Sequence, residues 1–143
     1  MEMSEASTAF ELPLTIEPGD FDELGHVNNV IYLGWVQEAA VAHWRTLASQ
    51  EDQAKLVWVV LRHEIDYRQA AVPGDAIIAR TWVGPASRIR FERHTELLRA
   101  RDRRLLAVAH TWWCPLDAAT GRPASVSAEV RALFSAESAG ETI

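Results

Sequence analysis

The chain has 143 residues, 48% of them hydrophobic, and a formal charge of −6. That length suits one domain with a sizeable core, and the composition excludes global disorder. The acidic balance argues against a general nucleic-acid binder, whose affinity comes from neutralising phosphates, and the single cysteine, Cys114, excludes an internal disulfide. A signal peptide and an apolar run of membrane-spanning length are both missing, so the expected location is the cytoplasm, with no membrane partner.

Met1–Ser7 reads as a loose end. Phe10, Leu12, Leu14 and Ile16 then alternate with polar residues, the period of a half-buried strand, and Pro13 favours a sheet edge. Pro18-Gly19 ends the strand and opens an acidic loop, Asp20-Phe-Asp-Glu-Leu-Gly-His-Val-Asn-Asn29. Val30–Leu47 follows as a long helix, with Asn28 and Asn29 where it should be capped. Apolar residues cover nearly every face of it, which predicts a buried helix and leaves Glu38 needing a partner inside. Gln37, Glu38 and Arg45 argue against a membrane span.

Ser49–Gln53 is a polar connection. Val57–Tyr67 reads as a strand with Val57, Val59, Leu61, His63, Ile65 and Tyr67 on one face and Trp58, Val60, Arg62, Glu64 and Asp66 on the other. Pro73-Gly74-Asp75 is a turn, Ala76–Val83 a third strand, and Gly84-Pro85 a further turn. Arg88–Arg99 and Arg104–Cys114 are the arms of a hairpin. In its first arm Ile89, Phe91, Thr95 and Leu97 form an apolar face interrupted by Arg93. Ser127–Phe134 is a short amphipathic helix capped by Ser127, and Ser135–Ile143 is a second loose end. The order, one strand, a long helix, four strands and a short helix, implies an α+β fold in which a mainly antiparallel five-stranded sheet curls round the central helix. The whole chain, 1–143, is one domain with its core at about 8–134.

The acidic loop carries the chemistry. It holds a carboxylate, Asp22, and an imidazole, His26, and runs into a helix start, whose first amides lack partners and carry the positive end of the dipole. Those groups suit a hydrolytic site in which negative charge develops on an oxygen. His26 could position water, bind substrate or hold the loop; Asn28 and Asn29 are caps first, with any ligand contact through their backbone. His43, His63, His94 and His110 show no metal-ligand spacing, so no metal is expected. Cys114 reads as a packed thiol. A Gly-x-Ser-x-Gly elbow and a phosphate loop are both lacking, and no cofactor is implied.

Asp-x-Asp-x-x-Gly-His-Val-Asn-Asn-x-x-Tyr, from Asp20 to Tyr32, resembles the signature of the hotdog-fold thioesterases, closest to the 4-hydroxybenzoyl-CoA thioesterase-like branch and the acyl-carrier-protein thioesterases. Tyr32-Leu33-Gly34-Trp35-Val36-Gln37-Glu38 continues the likeness, and Ile65-Asp66-Tyr67 with Pro73-Gly74-Asp75 is a second echo. The resemblance implies a helix wrapped by a curved sheet, a homodimer joined sheet edge to sheet edge and often paired into a homotetramer, and active sites at the subunit interface. It places the catalytic carboxylate on Asp22, the polarising helix-start amide near Asn29, and a catalytic histidine on His26. Gly25, Asn28 and Tyr32 become substrate-binding positions. Leu24 stands where the carrier-protein enzymes have Asn, so the Asp-centred acyl-CoA scheme fits better. Arg forks suit the phosphates of coenzyme A, which nominates Arg88 and Arg90 from an Arg-rich stretch at 88–104. Trp58, Tyr67, Trp82 and Trp112 could line an acyl pocket. The expected function is acyl-CoA thioester hydrolysis. The alternatives are an acyl-carrier-protein thioesterase docking through the Arg-rich hairpin, a hydratase or dehydratase (whose Asn-Pro motif is missing here), and a non-catalytic acyl-thioester binding module.

Overall fold

A computed structural model describes residues 9–135. The elements are β1 (Phe10–Thr15), α1 (Asn29–Leu47), α2 (Gln50–Lys55), β2 (Leu56–Tyr67), β3 (Ala76–Ala86), β4 (Phe91–Arg99), β5 (Arg104–Asp117) and α3 (Ala128–Ser135), with a short 3-10 turn at Pro18–Asp20. The strands form one antiparallel sheet in the order β1-β3-β4-β5-β2. This is the α+β hotdog arrangement that the sequence predicts. Among the described residues no helix is long and apolar enough to cross a membrane. The loose ends expected at residues 1–7 and 136–143 lie outside the described residues, whereas Ser135 closes α3.

Local chemistry explains most boundaries. Pro13, which has no N–H to donate, sits on edge strand β1 opposite Ile78. Asn28 caps α1, its side chain accepting from the Val30 amide at 3.2 Å, and Ser127 caps α3 through the Val130 amide at 3.1 Å. Helix α2 falls where the sequence suggested only a polar connection. It is six residues long, too short to show a hydrophobic period, and is held by the Ser49 cap and an i,i+4 Lys55–Glu51 pair at 3.1 Å.

Two expectations about faces are corrected. Helix α1 is not buried all round. One stripe, Tyr32, Trp35, Val36, Ala39, Ala40 and His43, packs inward, while Val30 is 66% exposed and Gly34, Gln37 and Glu38 also face out. Glu38 therefore needs no buried partner. In β2 the register shifts between Val60 and Arg62, so Leu61 is the extra residue of a β-bulge. Because side chains alternate with period two, one extra residue exchanges the faces beyond it. Trp58 and Val60 thus share the inner face with His63, Ile65 and Tyr67, and Val57 and Val59 share the outer face with Arg62 and Glu64.

The inner face and α1 enclose the main core, which includes Tyr32, Val36, Ala39, Ile77, Leu97, Leu106 and Ala109. A second cluster, Val126, Val130 and Phe134 with Trp44, Trp58 and Phe91 against it, closes the other end of the helix. Between them lies a polar layer. Arg93, on the inner face of β4, meets His43 Nδ1 at 2.9 Å and the Thr81 hydroxyl at 3.1 Å. This accounts for the charge interrupting the apolar arm.

Candidate active site at the start of helix α1

The acidic loop is closed like a small hairpin. Phe21 and Val27 form an isolated antiparallel bridge, the Asp22 amide donates to the His26 carbonyl at 2.8 Å, and the Asn28 amide donates to the Asp20 carbonyl at 2.8 Å. Gly25 sits at the tip with φ +79°, a left-handed conformation natural to glycine. Leu24, also at the tip, is exposed. Buried Val27 pins the loop to the core, its amide donating to the Ala71 carbonyl at 3.1 Å.

Asp22 is exposed, and its carboxylate is oriented by the loop it closes. Oδ1 accepts from the Leu24 amide at 2.9 Å and the His26 amide at 3.1 Å. Oδ2 has no partner among the described residues. One oxygen is committed to structure and the other is available. The His26 side chain is exposed on the same loop. At the helix start the Asn28 side chain takes the Val30 amide and the Asn28 carbonyl takes the Ile31 amide at 2.9 Å. These bonds leave the Asn29 N–H as the first-turn donor without an acceptor among the described residues. The Asn29 carbonyl accepts from the Tyr67 hydroxyl at 3.1 Å. Asp22, Gly25, His26, Asn28 and Asn29 are thus brought together on one pinned loop and helix start.

Tyr32, a substrate-binding position by the resemblance, is buried within the chain. It is 2% exposed, and its hydroxyl accepts from the buried Ala71 amide at 2.8 Å. Burial pushes its phenol up from the usual value, opposed in part by that hydrogen bond. Burial likewise raises the Tyr67 phenol. Tyr32→Phe should strand the Ala71 N–H and cost about 1–3 kcal/mol, read as a lower urea midpoint. A substrate-contact role would instead raise KM and leave the midpoint unchanged.

Arg88 and Arg90 are not brought to this loop within one chain. The Arg90 guanidinium lies over the Trp112 ring, 5.3 Å from its centroid. On β5, Leu106 marks the end beside the acidic loop, where its carbonyl accepts the Arg68 amide. Trp112 is six residues further on, about 20 Å at strand rise. Other basic residues of the stretch pair internally, Arg99 with Asp102 at 2.7 Å and Arg103 with Glu11 at 2.6 Å.

The aromatic residues nominated for an acyl pocket disperse. Tyr67 stands at the helix start. Trp58 joins Trp44, Phe91, Trp113 and Phe134 round a cavity of 360 Å³ under the C-terminal half of α1, about 22 Å along the helix from Asn29. Trp82 and Trp112 lie on the outer face. Beside the site itself is an open groove of 620 Å³, lined by Leu14, Asp20, Val30, Gly34 and Glu38 among others. Glu38 is thus a groove residue, which the sequence could not show because an all-apolar helix conceals which stripe faces out.

Similarities to known proteins agree with this architecture. The family model of the thioesterase-like superfamily matches residues 16–134. A Thermus thermophilus thioesterase solved with coenzyme A and zinc superposes with a TM-score of 0.78 at 21% identity, covering 90% of this chain and 93% of that one. A 1,4-dihydroxy-2-naphthoyl-CoA thioesterase from Synechocystis gives 0.76 at 20% identity, covering 88% and 95%. PA2801, a putative thioesterase from Pseudomonas aeruginosa, gives 0.76 at 24% identity, covering 85% and 95%. No curated protein matches the chain by sequence. With the family match spanning most of its length, this chain is a member of the thioesterase-like superfamily.

Proposed function

We propose that this protein hydrolyses an acyl-CoA thioester to a free acid and coenzyme A, using Asp22 as base or nucleophile and the start of α1 to polarise the carbonyl. The reading rests on one observation: a carboxylate with one oxygen fixed by loop amides and the other available shares a closed loop with the unclaimed Asn29 N–H. In the direct route Asp22 Oδ2 attacks the acyl carbon, the C–S bond breaks, and the sulfur leaves and takes a proton; water then opens the mixed anhydride. In the alternative, Asp22 removes a proton from the attacking water. Either route puts charge on the carbonyl oxygen, where a fixed amide is worth most. In this reading His26 orients water or substrate, and Gly25 and Asn28 offer backbone to the ligand. The groove beside Gly34 offers room for the acyl group.

Coenzyme A is favoured over a carrier protein because part of the charge on the Arg-rich hairpin is already paired within the chain, Arg99 with Asp102 and Arg103 with Glu11. A homodimer belongs to the same reading. Edge strand β2 is twelve residues long and exposes Val57, Val59 and Leu61, and a second copy could carry Arg88 and Arg90 towards the site. Thiol release from a panel of short, long and aromatic acyl-CoAs tests the proposal. Turnover of at least one is expected. Binding without turnover would replace it with a non-catalytic acyl-thioester module, and turnover of carrier-linked esters alone with the carrier-protein reading.

A further inference from the structure

The outer face of the sheet carries a second group of chemically able side chains that the proposed hydrolysis does not use. The β4–β5 register sets His94 directly opposite His110, and Glu92 opposite Trp112. The two imidazole rings lie 4.2 Å apart, and Glu92 Oε1 is 2.9 Å from His110 Nε2. One ligand atom from each of Glu92, His94 and His110 falls within 4.8 Å of the other two. Two imidazoles and a carboxylate are a donor set that suits zinc and its borderline neighbours. Ligand atoms about 2.0–2.2 Å from one tetrahedral ion stand about 3.4 Å apart, so small side-chain rotations close the set.

The surroundings favour a built arrangement over a passing surface contact. All three residues are half-buried and stand on central strands rather than loops, which holds ligands in place. The rings form a continuous stack across the sheet. Trp82 lies on His94 at 5.6 Å, His94 on His110, and His110 on Trp112 at 4.6 Å. On β3, Gly84 leaves the space that His94 occupies: a Cβ there would come within 2.8 Å of His94 Nε2. Two arginines at the Trp112 end of the stack are turned to other work, Arg62 paired with Glu64 and stacked on Trp112, and Arg90 stacked on the same indole.

We propose that Glu92, His94 and His110 bind a divalent transition-metal ion of the zinc type on the outer face of the sheet, with a fourth position left to water. This site is separate from the Asp22 loop and stands whether or not the chain is a hydrolase.

Isothermal titration with Zn²⁺ and visible absorption of the Co²⁺ form test it on the metal-stripped full-length protein. One equivalent per chain is expected, with the d–d bands of a low-coordinate N/O site. His94→Ala and His110→Ala should each weaken binding about tenfold or more, and Glu92→Gln should weaken it as well. Far-UV circular dichroism checks the fold, and the mild Glu92→Gln variant decides if either histidine variant unfolds. Absence of stoichiometric binding to the wild type, or binding undiminished in the folded variants, would overturn the proposal.

Discussion

Asp22→Asn should lower kcat/KM for a hydrolysed acyl-CoA by about 10²-fold or more, equal to about 2.7 kcal/mol of barrier. The substitution is informative because it divides the two functions of the side chain. An asparagine Oδ1 can still accept from the Leu24 and His26 amides, the bonds that Asp22 makes at 2.9 and 3.1 Å. The loop should stay closed and the melting temperature should move little. What is removed is the negative charge on Oδ2, and with it the proposed base or nucleophile. Asp22→Ala removes both, so it should lose activity and also loosen the loop. If Asp22 served only to close the loop, Asn would work nearly as well as Asp and only Ala would fail. Steady-state kinetics on the three proteins separates these outcomes.

The second large effect is on stability. His43 is fully buried on the inner stripe of α1, stacked on Phe10 at 4.8 Å and edge-on to Phe134. Burial first, and then the charge of Arg93, pushes its pKa down to about 3. The folded state therefore keeps this imidazole neutral at pH values where the unfolded chain, titrating near the ordinary histidine value, takes up a proton. Stability from this group is fully present above pH 6.5 and falls as the pH drops towards 3. Urea unfolding should show a loss of about 2 kcal/mol between pH 7.5 and 5. His63, also lowered by burial, adds in the same direction. The Asp102 carboxyl, held low by its hydrogen bonds to Arg99 and the Arg104 amide, acts only at more acidic pH. His43→Gln should flatten most of the slope between pH 7.5 and 5, and an unchanged slope would refute the assignment.

What could be read from the sequence was what depends on neighbours in the chain. The Asn28 cap, the Pro18-Gly19 break and the loop that brings Asp22 to a helix start are local chemistry, and alternation revealed four of the strands within a few residues. What could not be read depends on phase and register. Helix α1 is apolar on nearly every side, so its sequence does not say which stripe faces the sheet; Tyr32 is buried as expected, whereas Glu38, expected inside, faces out. In β2 the Leu61 bulge exchanges the two faces midway, and nothing local announces it. His94 and His110 are sixteen residues apart in sequence, outside any metal-binding spacing, and meet only because the hairpin pairs them. Arg88 and Arg90 looked close to the site only while the direction of the hairpin was open.

The bracing of the α1 start has a further consequence. The Tyr67 hydroxyl holds the Asn29 carbonyl, the Tyr32 hydroxyl holds the Ala71 amide, and the Ala71 carbonyl holds Val27. Two phenols and one backbone link thus tie the acidic loop, the first turn of the helix and the segment before β3 into a single unit. The conformational entropy of arranging the carboxylate and the amide is lost when the chain folds, not when a ligand arrives. On the proposed function, affinity and fold stability draw on the same few hydrogen bonds, and a change that loosens this corner weakens both together.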